Sequence, residues 1–516
     1  MNLIDFFDSS VDRAPGRDCL VFEDQGWTYR QVSDLATRIG HGLRAMGVRQ
    51  ETKCSVVSRN HPVAFTSMLG ILKAQGTWVP LNPVNAAEEN LYILEQFDVA
   101  VLFFQKESEA FARQVRDRLP QVRHFLCVDG ESELGPSVDS WAAAQQSDAI
   151  WLPWQPEAVC WLRGTGGTTG RPKGVMNTNR NFETTIANFL ARLRFDGPPM
   201  QLAVAPLSHA AGVLAMINLA LGGTMIIHRG FDAQATLAAI ARHRVSWLYL
   251  PPTALYTLLS QPNVRDFDYS SLRHFVYGAA PSSQSKLREA IEVFGPVLTQ
   301  AYGQTEVPTS VTYLGPEDHV DANGAVIEQR LLSCGQPAPF ARVALLDDDG
   351  KPVPRGNVGE ICVQGGLRMK GYYKNPEATA ETSKHGWHHT GDLAWQDEDG
   401  FIYICDRKKE MIITGGYNVY PLEVEQVVMS HAAVQDCAVV GVPDAKWGEA
   451  IKVVIELKPG RVVEPDVIMA MCRERLGPVK TPKSVDFIDE LPRSPAGKVL
   501  RKSVRSSYWQ GQSRNV

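Results

Sequence analysis

Thr165-Gly-Gly-Thr-Thr-Gly-Arg-Pro-Lys-Gly174 is the stretch on which the reading of this chain turns. Gly166, Gly167 and Gly170 let backbone N–H groups approach an anion closely. Thr165, Thr168 and Thr169 add hydroxyl donors, and Lys173 adds charge. This is the chemistry of a phosphate cradle. It is not the loop that ends in Gly-Lys-Ser/Thr, because Pro172 precedes the lysine and Gly174 follows it. The G-x-G-x-x-G turn of dinucleotide sites is a poor match too, since that turn opens a helix and Pro172 stands in the way.

On either side of this loop, strands and helices alternate. Leu35, Ile39, Leu43 and Met46 recur at helical spacing up to Gly47. Cys54-Ser-Val-Val reads as a strand, followed by a helical run through Met68, Ile71 and Leu72 and a strand at Trp78-Val-Pro-Leu. The order repeats at Met225-Ile-Ile, the helix from Ala233 to His243, and Ser246-Trp-Leu-Tyr-Leu. It repeats again at His274-Phe-Val-Tyr, the helix from Ser285 to Phe294, and Val297-Leu-Thr. Strand, helix, strand in this order implies parallel pairing with helices on the sheet faces. After Gly335 the texture changes to short strands with Gly/Asp turns, around Val343-Ala-Leu-Leu and Gly359-Glu-Ile-Cys-Val, which predicts antiparallel pairing. A last unit follows the charged segment from Asp406 to Glu410. It has a helix starting at Pro421 and strands at Cys437 to Val442 and Ile451 to Leu457.

The 516 residues exceed one compact core, and 44% apolar with 21% charged residues is ordinary globular composition. A net charge of -5 gives no reason to expect nucleic acid. From Arg473 onward, however, ten Lys/Arg face four Asp/Glu, a local excess of +6 that reads either as a solvated face or as a docking surface for an anion. Nine cysteines without a C-x-x-C pair predict neither disulfides nor a zinc ribbon and fit a reducing cytoplasm. The N-terminus lacks the pattern of a signal peptide. The uncharged run Ala210 to Ile227 carries Asn218 and Gly222-Gly223, which predicts a buried helix and a short strand rather than a membrane span. His385, His388 and His389 have metal-like spacing but flank Trp387 just before Thr390-Gly-Asp392, and zinc is not expected there. Ser208-His209 suggests a nucleophile and base, although neighbours in sequence rarely face each other productively.

The loop at Thr165–Gly174 resembles the phosphate loop of the adenylate-forming superfamily, which includes acyl- and aryl-CoA ligases, peptide-synthetase adenylation domains and firefly-type luciferases. Further matches follow in the family's order: Tyr302-Gly-Gln-Thr-Glu306, Thr390-Gly-Asp392, Asp406-Arg-Lys-Lys-Glu410, Gly415-Gly-Tyr-Asn418 and Pro492-Arg-Ser-Pro-Ala-Gly-Lys498. The likeness covers essentially the whole chain and is nearest to the acyl- and aryl-CoA ligases. It implies an α/β fold: a large N-terminal domain of stacked α/β sheets with a small β-barrel-like subdomain, and a small mobile α+β C-terminal domain. The corresponding boundaries are 1–405, a hinge at 406–409, and 410–516.

The resemblance also implies roles. ATP and coenzyme A would be co-substrates, with Mg²⁺ held by Glu306. Thr165, Gly166, Gly167, Thr168, Thr169, Gly170 and Lys173 would cradle the phosphates, with Thr305 donating to the α-phosphate. Gly278, Ala279, Ala280, Tyr302 and Gly303 would frame the adenine, and Asp392 with Arg407 would hold the ribose. Lys498 would reach in from the C-terminal domain to the reacting carboxylate, with Lys409 as the hinge. His209, Ala210, Gly212, Ala279 and Tyr302 would border the acyl pocket. Gly415, Gly416 and Trp447 would meet the thiol arm of CoA, and Lys480 and Lys483 its phosphates.

Amino-acid-activating relatives need a carboxylate for the substrate ammonium near the position of His209. From Gln201 to Phe231 there is no Asp or Glu, so an amino acid is not expected. An aromatic, cyclic or short-to-medium acyl carboxylate fits better. The leading expectation is therefore an acid–CoA ligase, and the alternative is a stand-alone enzyme that loads an acyl-carrier protein. Neither a nucleic-acid partner nor a membrane span is expected, and a homodimer is compatible with this reading.

Overall fold

The computed structural model describes residues 1–165, 172–444, 446–494 and 498–509. The expected calls at Gly166, Gly167, Thr168, Thr169 and Gly170 lie outside these residues.

Two large sheets form the N-terminal domain. One has nine strands. Its centre is parallel, running through Leu298–Tyr302, His274–Gly278, Trp247–Leu250, Met200–Ala203, Thr224–Ile227 and Asp18–Phe22. Both of its edges turn antiparallel, through a tight connection between Asp18–Phe22 and Gln25–Thr28 and through longer ones beyond Leu298–Tyr302. The other sheet has seven strands, with Thr77–Leu81, Lys53–Val57, Val99–Phe104 and His124–Cys127 parallel. Val159–Thr165 and Lys173–Thr178 pair antiparallel on either side of the phosphate loop. Strands covered on both faces should be apolar throughout, and Thr77–Leu81 is buried at every position.

Local signals set the helices. Tyr29–Ala45 starts at a capping box in which Thr28 and Gln31 exchange hydrogen bonds, and Gly47 leaves the helix with φ +90°. Pro62 opens Pro62–Lys73, and Thr178 with Asn181 caps Asn179–Arg192. The uncharged run becomes the buried helix Ala210–Ala220 followed by the strand Thr224–Ile227. Its one polar interior side chain, Asn218, accepts a hydrogen bond from the Trp247 indole at 3.0 Å. Among the described residues, no helix is long and apolar enough to cross a membrane. Trp161 packs 4.3 Å from Trp78 and stacks 4.9 Å from Phe182, joining helix Asn179–Arg192 to the seven-stranded sheet. All nine cysteines are buried and unpaired.

Arg342–Leu346, Gly359–Gln364, His388–Gln396 and Ile402–Arg407 form one antiparallel four-stranded sheet. Where a barrel-like unit is expected, these strands make an open path, with no closing ladder among the described residues. Past Arg407 the chain enters a separate five-stranded sheet, built mainly on the long hairpin Val434–Asp444 and Gly448–Leu457. Pro421–Met429 and Pro465–Leu476 pack on it with their own apolar core around Val424, Val428, Ile451 and Ile468. The fold is thus a mixed α/β assembly with a large N-terminal and a small C-terminal domain.

Candidate active site

Strand ends supply most of the site. His274–Gly278 and Leu298–Tyr302 lie side by side, and their C-terminal ends carry Gly278, Ala279 and Tyr302. Gly278 has φ +158°, and a Cβ there would sit 2.5 Å from the Ala301 carbonyl oxygen. Ala279 follows at φ +67°, an uncommon conformation for a residue with a side chain. The chain is bent sharply there, and Gly278, Ala279 and Ala280 line a cavity of about 260 Å³ together with Tyr302, Gly303, Asp392 and Arg407. Lys498, from the C-terminal domain, lines the same cavity.

Asp392 is the fixed point of this cavity. It is 6% exposed and accepts hydrogen bonds from the Tyr302 hydroxyl at 2.6 Å and Gln304 Nε2 at 2.8 Å. The Arg407 guanidinium lies 3.3 Å from its other oxygen. Gln304 also donates to the Thr390 carbonyl at 2.8 Å, locking the strand that carries Asp392. Burial, then the Asp392 charge, pushes the Tyr302 hydroxyl well above its ordinary pKa, so it stays a donor. Lys498 is exposed, yet protein crowds its ammonium. Desolvation first and the Arg407 cation second lower its pKa from 10.5, opposed by Glu410 and Asp392.

A larger cavity, about 970 Å³, opens beside the first and shares Ala279, Gly303, Gln304 and Arg407 with it. Thr165, Lys173, Thr305 and Glu306 line it, as do Trp161, Phe182, Ala210, Val213 and Val276. Polar groups for phosphate and an apolar slot therefore share one space. Glu306 accepts a hydrogen bond from the Tyr372 hydroxyl at 2.7 Å, and Lys173 sits over the Tyr372 ring at 5.1 Å. Asn177 holds the Thr305 carbonyl at 3.1 Å. Lys409 also lines this cavity, in the exposed turn between Ile402–Arg407 and Ile412–Thr414.

Two of the acyl-pocket residues stand apart. His209 and Gly212 line neither cavity. A Cβ on Gly212 would lie 2.1 Å from the Leu207 carbonyl oxygen, so this glycine admits the chain that enters helix Ala210–Ala220. Gly212→Ala is accordingly expected to lower stability by about 1–3 kcal/mol, read as a drop in Tm. Contrary to expectation, Ser208 and His209 do meet, Oγ to Nδ1 at 3.0 Å, because His209 is extended (φ -119°, ψ -150°) at the helix start. Desolvation, then the Arg163 cation, lowers the His209 pKa to about 3, which makes it a poor base at neutral pH. Of the three histidines near Thr390, His388 is buried, while His389 faces Glu360 at 3.1 Å and Cys362 at 3.3 Å.

The residues expected to meet CoA are on the C-terminal domain and line neither cavity. Gly415 (φ +57°) and Gly416 (φ +82°) make a turn, and a Cβ on Gly415 would strike Trp447 at 2.6 Å. Lys480 is ion-paired with Glu423, and Lys483 donates to the Pro478 carbonyl at 3.4 Å. The basic tail thus has a different meaning from a free anion-docking face. Arg493 pairs with Asp436 and Glu456, Arg501 with Asp406, Glu410 and Glu425, and Arg505 with Glu449. The acids that balance the tail lie upstream of it in sequence, so a count over the tail alone overstates its charge.

Sequence reasoning missed Gln304, Tyr372, Arg163 and Arg501 as site residues. Arg163 carried a signal, being the lone charge in the apolar strand Val159–Thr165. Tyr372 carried none, since 66 residues separate it from Glu306.

The family described as AMP-binding enzyme matches residues 7–373, and the one described as AMP-binding enzyme C-terminal domain matches residues 423–498. A medium/long-chain-fatty-acid–CoA ligase, FadD8 of Mycobacterium tuberculosis, is 38% identical over 98% of this chain and 90% of its own. A feruloyl-CoA synthase of Amycolatopsis sp is 36% identical over 93% and 94%. The solved anthranilate CoA ligase AuaEII, in complex with anthranoyl-AMP, superimposes with a TM-score of 0.90 at 26% identity, covering 98% of this chain and 97% of that one. With family matches over residues 7–373 and 423–498, this chain belongs to the AMP-binding enzyme family.

Proposed function

We propose that the protein is an acid–CoA ligase that adenylates a carboxylic acid with ATP and then passes the acyl group to the thiol of coenzyme A. The observation that carries this reading is the convergence of Lys498, from the C-terminal domain, on the cavity of Asp392, Arg407, Tyr302 and Gly278–Ala280. The relatives named as fatty-acid and feruloyl-CoA ligases support it.

In the first half-reaction a carboxylate oxygen attacks the α-phosphorus of ATP. A P–O bond forms, the bond to the β-phosphate bridging oxygen breaks, and pyrophosphate leaves. The barrier is negative charge meeting negative charge, so positioned cations and donors are what lower it. In this reading Asp392, held by Tyr302, Gln304 and Arg407, accepts from the ribose hydroxyls. Lys173 and the Thr165–Gly170 loop bind the outer phosphates, Thr305 donates to the α-phosphate, and Lys498 binds both reacting groups. Glu306 fits Mg²⁺, a cation often held by one or two carboxylates plus substrate phosphates. Its Oε2 is not the oxygen that Tyr372 engages, and Lys173 lies over the same tyrosine ring. Bound there, Mg²⁺ would neutralise phosphate charge. In the second half-reaction the CoA sulfur attacks the acyl carbon, the thiol proton is lost to solvent, and AMP leaves.

We assign residues 1–405 and 410–516 as the two moving bodies with the hinge at 406–409. Turning about Lys409 would bring Gly415, Gly416, Trp447, Lys480 and Lys483 to the CoA path. The apolar slot favours an aromatic, cyclic or short-to-medium acyl group.

Acid-dependent ATP–pyrophosphate exchange across a carboxylate panel, with and without CoA, tests this reading. At least one acid should support exchange and yield a thioester when CoA is added. If no acid supports exchange, adenylation is wrong. If exchange occurs but only a phosphopantetheine carrier protein accepts the acyl group, the acceptor assignment is wrong.

A further inference from the structure

Arg163 lies on strand Val159–Thr165. Side chains alternate along a strand, so Trp161, Arg163 and Thr165 share one sheet face, and all three line the larger cavity. At about 3.3 Å per residue, the Arg163 backbone sits about 6–7 Å from Thr165, where the phosphate loop begins, in the direction of Trp161. Its charge acts on His209 and Tyr249 as well as on Glu306, so the guanidinium stands between the expected acyl pocket and the carboxylate assigned to Mg²⁺. Trp161, Phe182, Val213 and Val276, which line the same cavity, are apolar.

Among the described residues the Arg163 side chain makes no hydrogen bond or salt-bridge contact, and the groups that act on its charge are Tyr249 and Glu306. The other cations of this cavity are engaged or solvated. Arg407 meets Asp392, Lys408 meets Asp348 and Glu360, Lys173 lies over Tyr372, and Lys384 and Lys409 are exposed. Tyr249 also lines the cavity, and its hydroxyl has no hydrogen-bond partner among the described residues. Burial lowers the Arg163 pKa to about 10 and raises that of Tyr249 to about 12, so at neutral pH one is a cation and the other a neutral donor. A half-buried guanidinium with no carboxylate in salt-bridge contact is poorly compensated. Five N–H groups in a planar fork match a carboxylate or a phosphate, and the apolar residues of this cavity favour the carboxylate of an organic acid.

We propose that the acid adenylated by this protein carries a second carboxylate, bound by Arg163 with Tyr249 donating beside it. This rests on the adenylation reading and narrows its substrate class to dicarboxylic acids whose two acid groups are separated by a short chain or a ring. Arg163 then sets specificity rather than chemistry. The reacting carboxylate goes to Lys498, the distal one to the fork, and the apolar walls hold what lies between.

The experiment compares kcat/KM for pyrophosphate exchange on matched pairs: glutarate with pentanoate, adipate with hexanoate, terephthalate with 4-methylbenzoate. The wild type should favour the diacid in at least one pair. Arg163→Met should lower the ratio of the diacid to the monoacid value roughly a hundredfold, as expected for loss of a bidentate charge-assisted contact. Arg163→Lys, which keeps the charge without the fork, should fall between. A Tm near that of the wild type shows that each variant is folded. Preference for the monoacid in every pair, with an unchanged ratio in Arg163→Met, overturns the proposal. Equal loss on both members also overturns it, since Arg163 would then serve ATP or the reacting carboxylate. Absence of exchange with every acid overturns the adenylation reading itself, and this proposal with it.

Discussion

Lys498→Ala is expected to lower acid-dependent pyrophosphate exchange by about 10²- to 10³-fold, the usual loss when one preorganised charge is removed from a developing oxyanion. Lys498 is exposed and lies on a short segment past the last strand, so Tm should stay near that of the wild type. Thioester formation from preformed acyl-adenylate should also be largely preserved, because that step has no carboxylate to bring against a phosphate. A parallel loss in both half-reactions would make Lys498 a structural residue. The pH profile gives a second reading of the same group. Desolvation and then Arg407 hold the ammonium below 10.5, and only the protonated form can bridge two anions. Exchange in the wild type should therefore decline on the alkaline side before pH 10.5, and Lys498→Ala should lack that limb.

Arg501→Met is expected to be the most damaging single change to the C-terminal domain. Arg501 donates to Asp406 at 2.8 Å, to Glu410 at 2.6 Å and, through Nε, to Glu425 at 2.8 Å. Asp406, 4% exposed, also accepts from the Leu422 amide at 2.8 Å. Removing the cation leaves three crowded carboxylates, a loss of about 3–5 kcal/mol when buried pairs are broken this way. The pH dependence fixes the cause. Desolvation raises the Asp406 pKa to about 6 even with Arg501 pulling it down and Glu425 pushing it up. A carboxyl whose folded pKa exceeds its unfolded value loses stability as pH rises from about 4 to about 6, and that loss persists above. Glu410 goes the other way, since Arg501 and Arg407 outweigh its desolvation, and it loses stability as pH falls. Without Arg501 both carboxyls move upward, so the deficit against wild type should be largest at pH 7–8 and shrink towards pH 5. A deficit that does not change with pH would assign Arg501 to packing alone.

How much of this was legible in the sequence differs by kind of interaction. The alternating strands and helices could be read because period and punctuation are local. Leu35, Ile39 and Leu43 mark one face of Tyr29–Ala45, and Gly47 sits just past its end. The order of strands could not be read, because neighbours such as Thr224–Ile227 and Asp18–Phe22 are about two hundred residues apart. The motif residues Asp392, Arg407, Tyr302 and Lys498 were named by resemblance, and the fold brings them to one cavity. What escaped was the support around them. Tyr372 on Glu306 and Gln304 on Asp392 are side-chain contacts across long chain separations, with no pattern in composition or spacing. The charge count misled for the same reason. It saw Arg493, Arg501 and Arg505 together in the tail, but their partners Asp436, Asp406 and Glu449 come from other elements.

Lys498 and Arg501 are three residues apart, one lining the cavity of Asp392 and Tyr302 and the other fastened to Asp406, where strand Ile402–Arg407 runs into the proposed hinge. On the proposed two-body motion, seizing a ligand and latching the bodies would be one event. Reciprocity follows: whatever Lys498 grips must strengthen the latch by the same free energy that the latch lends to the grip. A weakened latch would then appear first as poor retention of the adenylate, with the intermediate escaping to water before any thiol arrives.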